Sequence, residues 1–284
     1  MKNKCTAAFL SFVTEGNKSI REDLFLSCFD EFEKIKDQNV SLDLTTVVVD
    51  NFSIGSVREK IRSSKCVDAF YLLDKNMFDT ALYCAGIESS EESESDYVLF
   101  LHDDDFIYNL QALSDTVAFM EASKADCCRV SEYDVENIKR FDSEFTPKSS
   151  NPDAIRHTNT ATGQKITHSC FGRFGSSDFY LTNWHYTSRP CVWRSSKLKE
   201  VMSKSDNFKI LQGFEGFMVK ACQEAGVVFS TLDKGMMRTF PVHLSARTSS
   251  DFHSKKVDES SYCISQEDMR EALARCKVLN SKKE

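Results

Sequence analysis

Apolar runs alternate with segments of helical periodicity through the first half of the chain. Residues 6–13 (TAAFLSFV) predict a buried strand, and Ile20, Leu24, Phe25, Cys28, Phe29 and Phe32 then recur at helical spacing. LTTVVVD, ending at Asp50, is a β-branched run suited to a strand buried on both faces. VDAFYLL (67–73) predicts a third strand, 78–88 a helix, and YVLFL (97–101) a fourth strand. Leu110, Leu113, Val117 and Met120 mark a helix over 109–122, followed by a strand in DCCRVSEYD. Strands alternating with helices predict an α/β fold, with a mostly parallel, Rossmann-like sheet covered on both faces.

The middle of the chain changes character. Residues 140–182 are rich in Ser, Thr, Asn, Asp and Gly with weak periodicity, which predicts an insertion or long loop with room for a small hairpin. Order returns at SRPCVWRSS. A helix over GFEGFMVKACQEAG buries Phe214, Phe217, Met218, Ala221, Cys222 and Ala225, and a strand follows at 227–232. SQEDMREALARCKVL opens with Ser265 and Asp268 in a capping-box arrangement and continues as an amphipathic helix.

With 284 residues the chain can bury a sizeable core. A net charge of −7 disfavours nucleic acid as a partner, since non-specific binding needs a basic surface. None of the 11 cysteines forms a C-x-x-C pair, and most stand in apolar stretches, which predicts reduced, structural thiols and a cytoplasmic protein. No window has the apolar length of a membrane span.

YVLFLHDDDFIYN (97–109) carries the most specific chemistry, with Asp103, Asp104 and Asp105 directly after an apolar strand. Ligands of open parallel sheets bind beyond the carboxyl ends of the strands, where Asp50 also falls. Three adjacent carboxylates repel one another, and a divalent cation is the simplest counter-charge. Oxygen ligands without thiolates favour Mn2+ or Mg2+ over zinc. The alternative is a solvent-exposed acidic turn capping the next helix.

These segments in order, VVVDNFS, NMFDTALYCAGI, YVLFLHDDD, FEGFMVKACQEAG and RTFPVHLSARTSS, resemble those of the GT-A glycosyltransferases of the family 2-like group, which use nucleotide-sugar donors. The resemblance covers most of the chain. It implies one GT-A-like domain over 1–284, in which 1–133 bind the nucleotide-sugar, 134–264 form the acceptor-side half with the variable insertion 140–182, and 265–280 form a C-terminal helix. It further implies a hexosyl- or pentosyltransferase that uses Mn2+ or Mg2+, takes a nucleoside-diphosphate donor (a UDP-sugar favoured) and inverts the anomeric centre. It implies as acceptor a hydroxyl of a glycan or glycoconjugate.

Carried over by residue, the resemblance places Asp50, Ser53, Asn76, Asp103, Asp104 and Thr14 on the nucleotide-sugar. Asp105 and His243 fall on the metal, with Asp103 a competing ligand because Asp103-Asp104-Asp105 is itself a D-x-D. An extended segment would send Asp103 and Asp105 to the same side. Glu215 falls at the catalytic carboxylate, as the base for the acceptor hydroxyl, unless it is a first-turn Glu favoured by the helix dipole. Trp184, His185, Arg189 and Trp193 fall on the acceptor side, the alternative for the aromatics being the core. Two features depart from the family pattern: Tyr83-Cys84 stand in place of its Arg-Asn, and FVTEGN in place of its P-x-Y-N turn. Rival readings are a glycosyltransferase-like binding protein without turnover, a sugar-nucleotidyltransferase, and a glycosyltransferase acting on modified nucleic-acid bases.

Overall fold

A computed structural model describes residues 3–15, 18–38, 42–131, 154–158, 165–184, 186, 190–209, 213–233, 236–239 and 263–279. The first half runs β1 (Lys4–Ser11), α1 (Lys18–Gln38), β2 (Asp43–Asp50), α2 (Gly55–Ser63), β3 (Ala69–Leu72), α3 (Phe78–Glu92) and β4 (Tyr97–Leu101). The four strands are parallel in the order β3-β2-β1-β4. Their apolar runs are continuous because both faces are covered. On β4, Tyr97, Leu99 and Leu101 enter the cluster that holds Phe25, Phe29 and Phe32 of α1, while Val98 and Phe100 enter the cluster of α3. Phe9 of β1 meets the rings of Phe29 and Phe32 at 5.8 and 4.6 Å.

The second half adds β5 (Asp105–Ile107), α4 (Gln111–Ser123), β6 (Cys127–Arg129), β7 (Ala154–Thr158), β8 (Lys165–Phe174), β9 (Ser177–Thr182) and β10 (Cys191–Arg194). It continues with α5 (Ser195–Met202), β11 (Asn207–Lys209), α6 (Gly213–Glu224), β12 (Phe229–Leu232), β13 (Met237–Thr239), β14 (Cys263–Ser265), α7 (Gln266–Cys276) and β15 (Lys277–Leu279). Among the described residues the main sheet has 11 strands in the order β15-β3-β2-β1-β4-β10-β6-β12-β9-β8-β7. Beyond the parallel core, β10 is antiparallel to β4 and β6, and β6 is parallel to β12. The architecture is thus the expected α/β one, with a parallel nucleus and an antiparallel extension.

The region expected as loop holds more order than its composition suggests. β8 and β9 form a long hairpin that joins the main sheet through β12, and β7 pairs outside it. On β8 only Ile166 and His168 are buried, so the inward positions are too few and too polar to register as an apolar run. The rest of the expected insertion lies outside the described residues. At the other edge β15 pairs antiparallel with β3, returning the C-terminal segment to the first half. Ser265 caps α7 as expected, its Oγ accepting the Asp268 N–H at 3.0 Å. Every cysteine whose side chain is described is free. Among the described residues no helix is long and apolar enough to cross a membrane.

Candidate active site

β4 delivers the acidic triplet, and the pleat decides which neighbour each residue meets. His102 emerges on the α3 side, where its Nε2 lies 3.2 Å from Asp79 Oδ1. Asp103 emerges on the α1 side and receives Arg21 Nη1 at 2.7 and 3.0 Å on its two oxygens. The chain then turns, with the Asp105 N–H donating to the His102 carbonyl at 3.1 Å. Asp105 Oδ2 accepts the His102 backbone N–H at 2.8 Å, and the His102 Nδ1 lies 3.5 Å from it. The extended geometry that would place Asp103 and Asp105 together therefore ends at His102. They take separate cationic partners.

All three aspartates are buried. Burial and repulsion from Asp105 and Asp103 push the Asp104 carboxyl up to about 7. Burial also raises Asp103, against the pull of Arg21. For His102, burial disfavours the imidazolium, but hydrogen bonds to Asp105 and Asp79 outweigh it and hold the ring well above its ordinary value. Asp79, Asp103, Asp104 and Asp105 thus gather around Arg21 and His102. Their oxygens are hard donors, the chemistry that suits a divalent cation such as Mn2+ or Mg2+. Among the described residues no three His, Cys, Asp or Glu converge on one metal position.

The neighbouring strand ends meet this turn through β1. The Phe12 N–H points at Asp103 Oδ2 at 3.4 Å, and the next amide, of Val13, donates to Ser53 Oγ at 3.0 Å. Ser53 N–H donates to Asp50 Oδ1 at 3.1 Å, and Ser11 Oγ reaches the same oxygen at 3.0 Å. Arg58 of α2 donates from Nε to Asp50 Oδ2 at 2.6 Å and from Nη2 to the Leu73 carbonyl at 2.6 Å. Asp50 is fully buried and holds the β2–α2 turn together. Asn51 Oδ1 accepts the Met77 N–H at 3.0 Å, which ties the loop containing half-buried Asn76 to this turn. Thr14, also half-buried, follows Val13. Asp50, Ser53, Thr14, Asn76 and Asp103 therefore belong to one continuous rim at the carboxyl ends of β1, β2, β3 and β4.

Phe52 lies in the same β2–α2 turn, and the resemblance assigns it no role. Its φ is 68°, in the left-handed region that costs a non-glycine residue about 1–2 kcal/mol. A bulky apolar side chain inside a turn at a strand end was the available signal in the sequence.

Glu215 stands exposed in the first turn of α6. The preceding Phe214 is buried and meets the Tyr83 ring at 5.3 Å with a 63° tilt. Tyr83, one of the departures from the family pattern, is itself buried and stacks on Phe100 at 4.1 Å. An aromatic column thus connects β4, α3 and the helix that carries Glu215.

Of the residues expected to face the acceptor, Trp184 is half-buried, with the Arg129 guanidinium 4.4 Å over its ring. Trp193 is fully buried on β10, packed near Tyr186 and Phe229, which makes it a core residue. His185, Arg189 and His243 lie outside the described residues. β13 sets Thr239 opposite Asp105.

A parallel nucleus with an acidic turn at its carboxyl end and an antiparallel extension is the GT-A fold. Among solved structures, S. aureus TarS residues 1–349 in complex with UDP matches it with a TM-score of 0.50 and 17% identity, over 96% of this chain and 70% of that one. A second crystal structure of S. aureus TarS 1–349 matches with a TM-score of 0.49 and 16% identity, over 91% and 68%. CMP:2-keto-3-deoxy-manno-octonic acid synthetase complexed with CTP matches at 0.46 and 10% identity, over 89% and 100%. No protein-family model and no curated protein matches the chain.

Proposed function

We propose that this protein is a metal-dependent, inverting glycosyltransferase that moves a sugar from a nucleoside diphosphate to a hydroxyl acceptor. The observation that carries the reading is the buried acidic turn Asp103-Asp104-Asp105 at the carboxyl end of β4 on a GT-A fold. UDP is the nucleotide in the TarS structure of matching fold, which supports a UDP-sugar as donor.

Asp105, with Asp104 beside it, would hold Mn2+ or Mg2+, and His243 is the candidate further ligand from the segment after β13. Hard cations of this kind bind through one or two carboxylates and complete their shell with substrate phosphate oxygens. Such a cation would supply charge neutralisation for the departing diphosphate. Arg21 pairs Asp103, and His102 lies between Asp79 and Asp105, so the triplet stays folded before donor arrives. The rim of Thr14, Ser53, Asn76 and Asp50 positions the nucleoside. Glu215 accepts the proton of the attacking hydroxyl at its carboxylate, and its exposure gives the acceptor access. Trp184 offers an aromatic face to the acceptor sugar.

The test is turnover of UDP-, GDP- and CMP-sugars with Mn2+ and with chelator. Release of nucleoside diphosphate from one donor, dependent on the metal, is expected. Tight donor binding with no turnover on any acceptor would instead identify a binding protein.

A further inference from the structure

Phe52 is 55% exposed at the carboxyl end of β2, two residues after Asp50 and next to Ser53. Its backbone is held at φ 68°, a conformation that glycine adopts without cost. The fold keeps a phenyl ring there although the ring contributes little to the core. The ring is also held in place: Arg58 Cζ lies 5.6 Å from its centroid, and Arg58 is itself fastened to Asp50 and to the Leu73 carbonyl. Two successive amides at the end of β1 connect this turn to the acidic one, Val13 reaching Ser53 and Phe12 reaching Asp103. A planar group resting on Phe52 would therefore have its attached phosphates directed along the rim toward Asp103, Asp104 and Asp105.

We propose that Phe52 is the platform on which the nucleobase of the donor stacks. The inference rests on the nucleotide-sugar reading above and adds the residue that holds the base. Every base presents a π-face, so the platform contributes affinity without selecting the base. A guanidinium fixed against a ring keeps it oriented, which lowers the ordering cost of stacking. Selection of the base is left to edge contacts from groups such as Thr14 and Asn76.

The experiment compares the parent with Phe52→Gly and Phe52→Tyr in calorimetric titrations with UDP, CDP and GDP, and with inorganic pyrophosphate, all in Mn2+. Melting temperatures are measured alongside. Phe52→Gly should weaken all three nucleotides by roughly 5- to 150-fold, the range that stacking on an aromatic side chain supplies. Its pyrophosphate affinity should be unchanged, and its melting temperature maintained or raised because the strained turn is relieved. Phe52→Tyr should bind nucleotides like the parent. Parent-like nucleotide affinity in Phe52→Gly would overturn the platform while leaving the glycosyltransferase reading standing. So would an equal loss of nucleotide and pyrophosphate, which would indicate a disrupted turn. A parent that binds pyrophosphate but none of the nucleotides would overturn both.

Discussion

Tyr186 donates its hydroxyl proton to the hydroxyl of Tyr83 across 2.8 Å, inside the core and beneath the helix that carries Glu215. Burial drives both phenols well above their ordinary range, so neither ionises under working conditions and the bond stays neutral. Tyr83→Phe removes the acceptor and leaves a buried donor unsatisfied, which should cost about 1–3 kcal/mol. Tyr186→Phe removes only the donor, and the double variant should lose less than the sum of the two. Urea denaturation of the four proteins measures the coupling, and strict additivity would show that the hydroxyls do not interact.

Gly86 sits on α3 where a Cβ would lie 2.6 Å from Phe100 Cε1 and 3.1 Å from Val98 Cγ1. Phe100 cannot swing away freely, because its ring is buried and stacked on Tyr83. Gly86→Ala would ordinarily favour a helix, yet overpacking should dominate and destabilise the protein by about 1–3 kcal/mol. A stabilised Gly86→Ala in the same denaturation assay would show that α3 can lift from β4.

The β4–α3 contact also shows how far the sequence could be read. YVLFL was legible as a strand because both faces of β4 are covered, and the aspartates were legible as a strand-end site because that strand was unmistakable. The turn at His102 was not legible, since alternation cannot report where a strand stops. Nor was the pairing of Asp103 with Arg21, which lie 82 positions apart. β8 and β9 were missed as long strands because their inward side is carried by few apolar residues. Trp193 looked equally suited to a sugar or to the core, and only its position on a central strand decides for the core.

Asp50 anchors Arg58 as well as the β2–α2 turn. Asp50→Ala should strand the guanidinium and cost about 3–5 kcal/mol, toward the lower end because Arg58 is partly exposed. Nucleotide affinity should fall too, because the same turn presents Ser53. Thermal melts and UDP titrations in chelator check both parts, and unchanged stability would remove the anchoring role.

The acidic turn makes stability depend on pH. Asp104 is raised to about 7 from an ordinary value of 3.8, so the native state binds a proton that the unfolded chain has released between these values. Its favourable contribution is complete below about 4 and is lost as pH rises through about 7. Without metal, the melting temperature should therefore fall across that interval in the parent and fall less in Asp104→Asn. Mn2+ requires the ionised carboxylate, so its binding should release protons and tighten as pH rises. Identical pH profiles for parent and Asp104→Asn would count against the perturbed carboxyl.

Replacing Glu215 would separate donor binding from the proposed catalysis. It is exposed in the first turn of α6, so replacing it need not disturb the proposed donor rim. Glu215→Gln keeps the shape and hydrogen-bonding capacity of the side chain but cannot accept the acceptor's proton. Donor and Mn2+ affinity should stay near the parent's, while transfer falls by about 10²- to 10⁴-fold, the usual contribution of a general base. A first-turn Glu serving only the helix dipole would give the opposite pattern, with transfer retained and about 0.3–1 kcal/mol of stability lost. Transfer rate at saturating donor, donor affinity and melting temperature together decide between them. Near-parent turnover in Glu215→Gln would shift the search for the base to other carboxylates that face the acceptor.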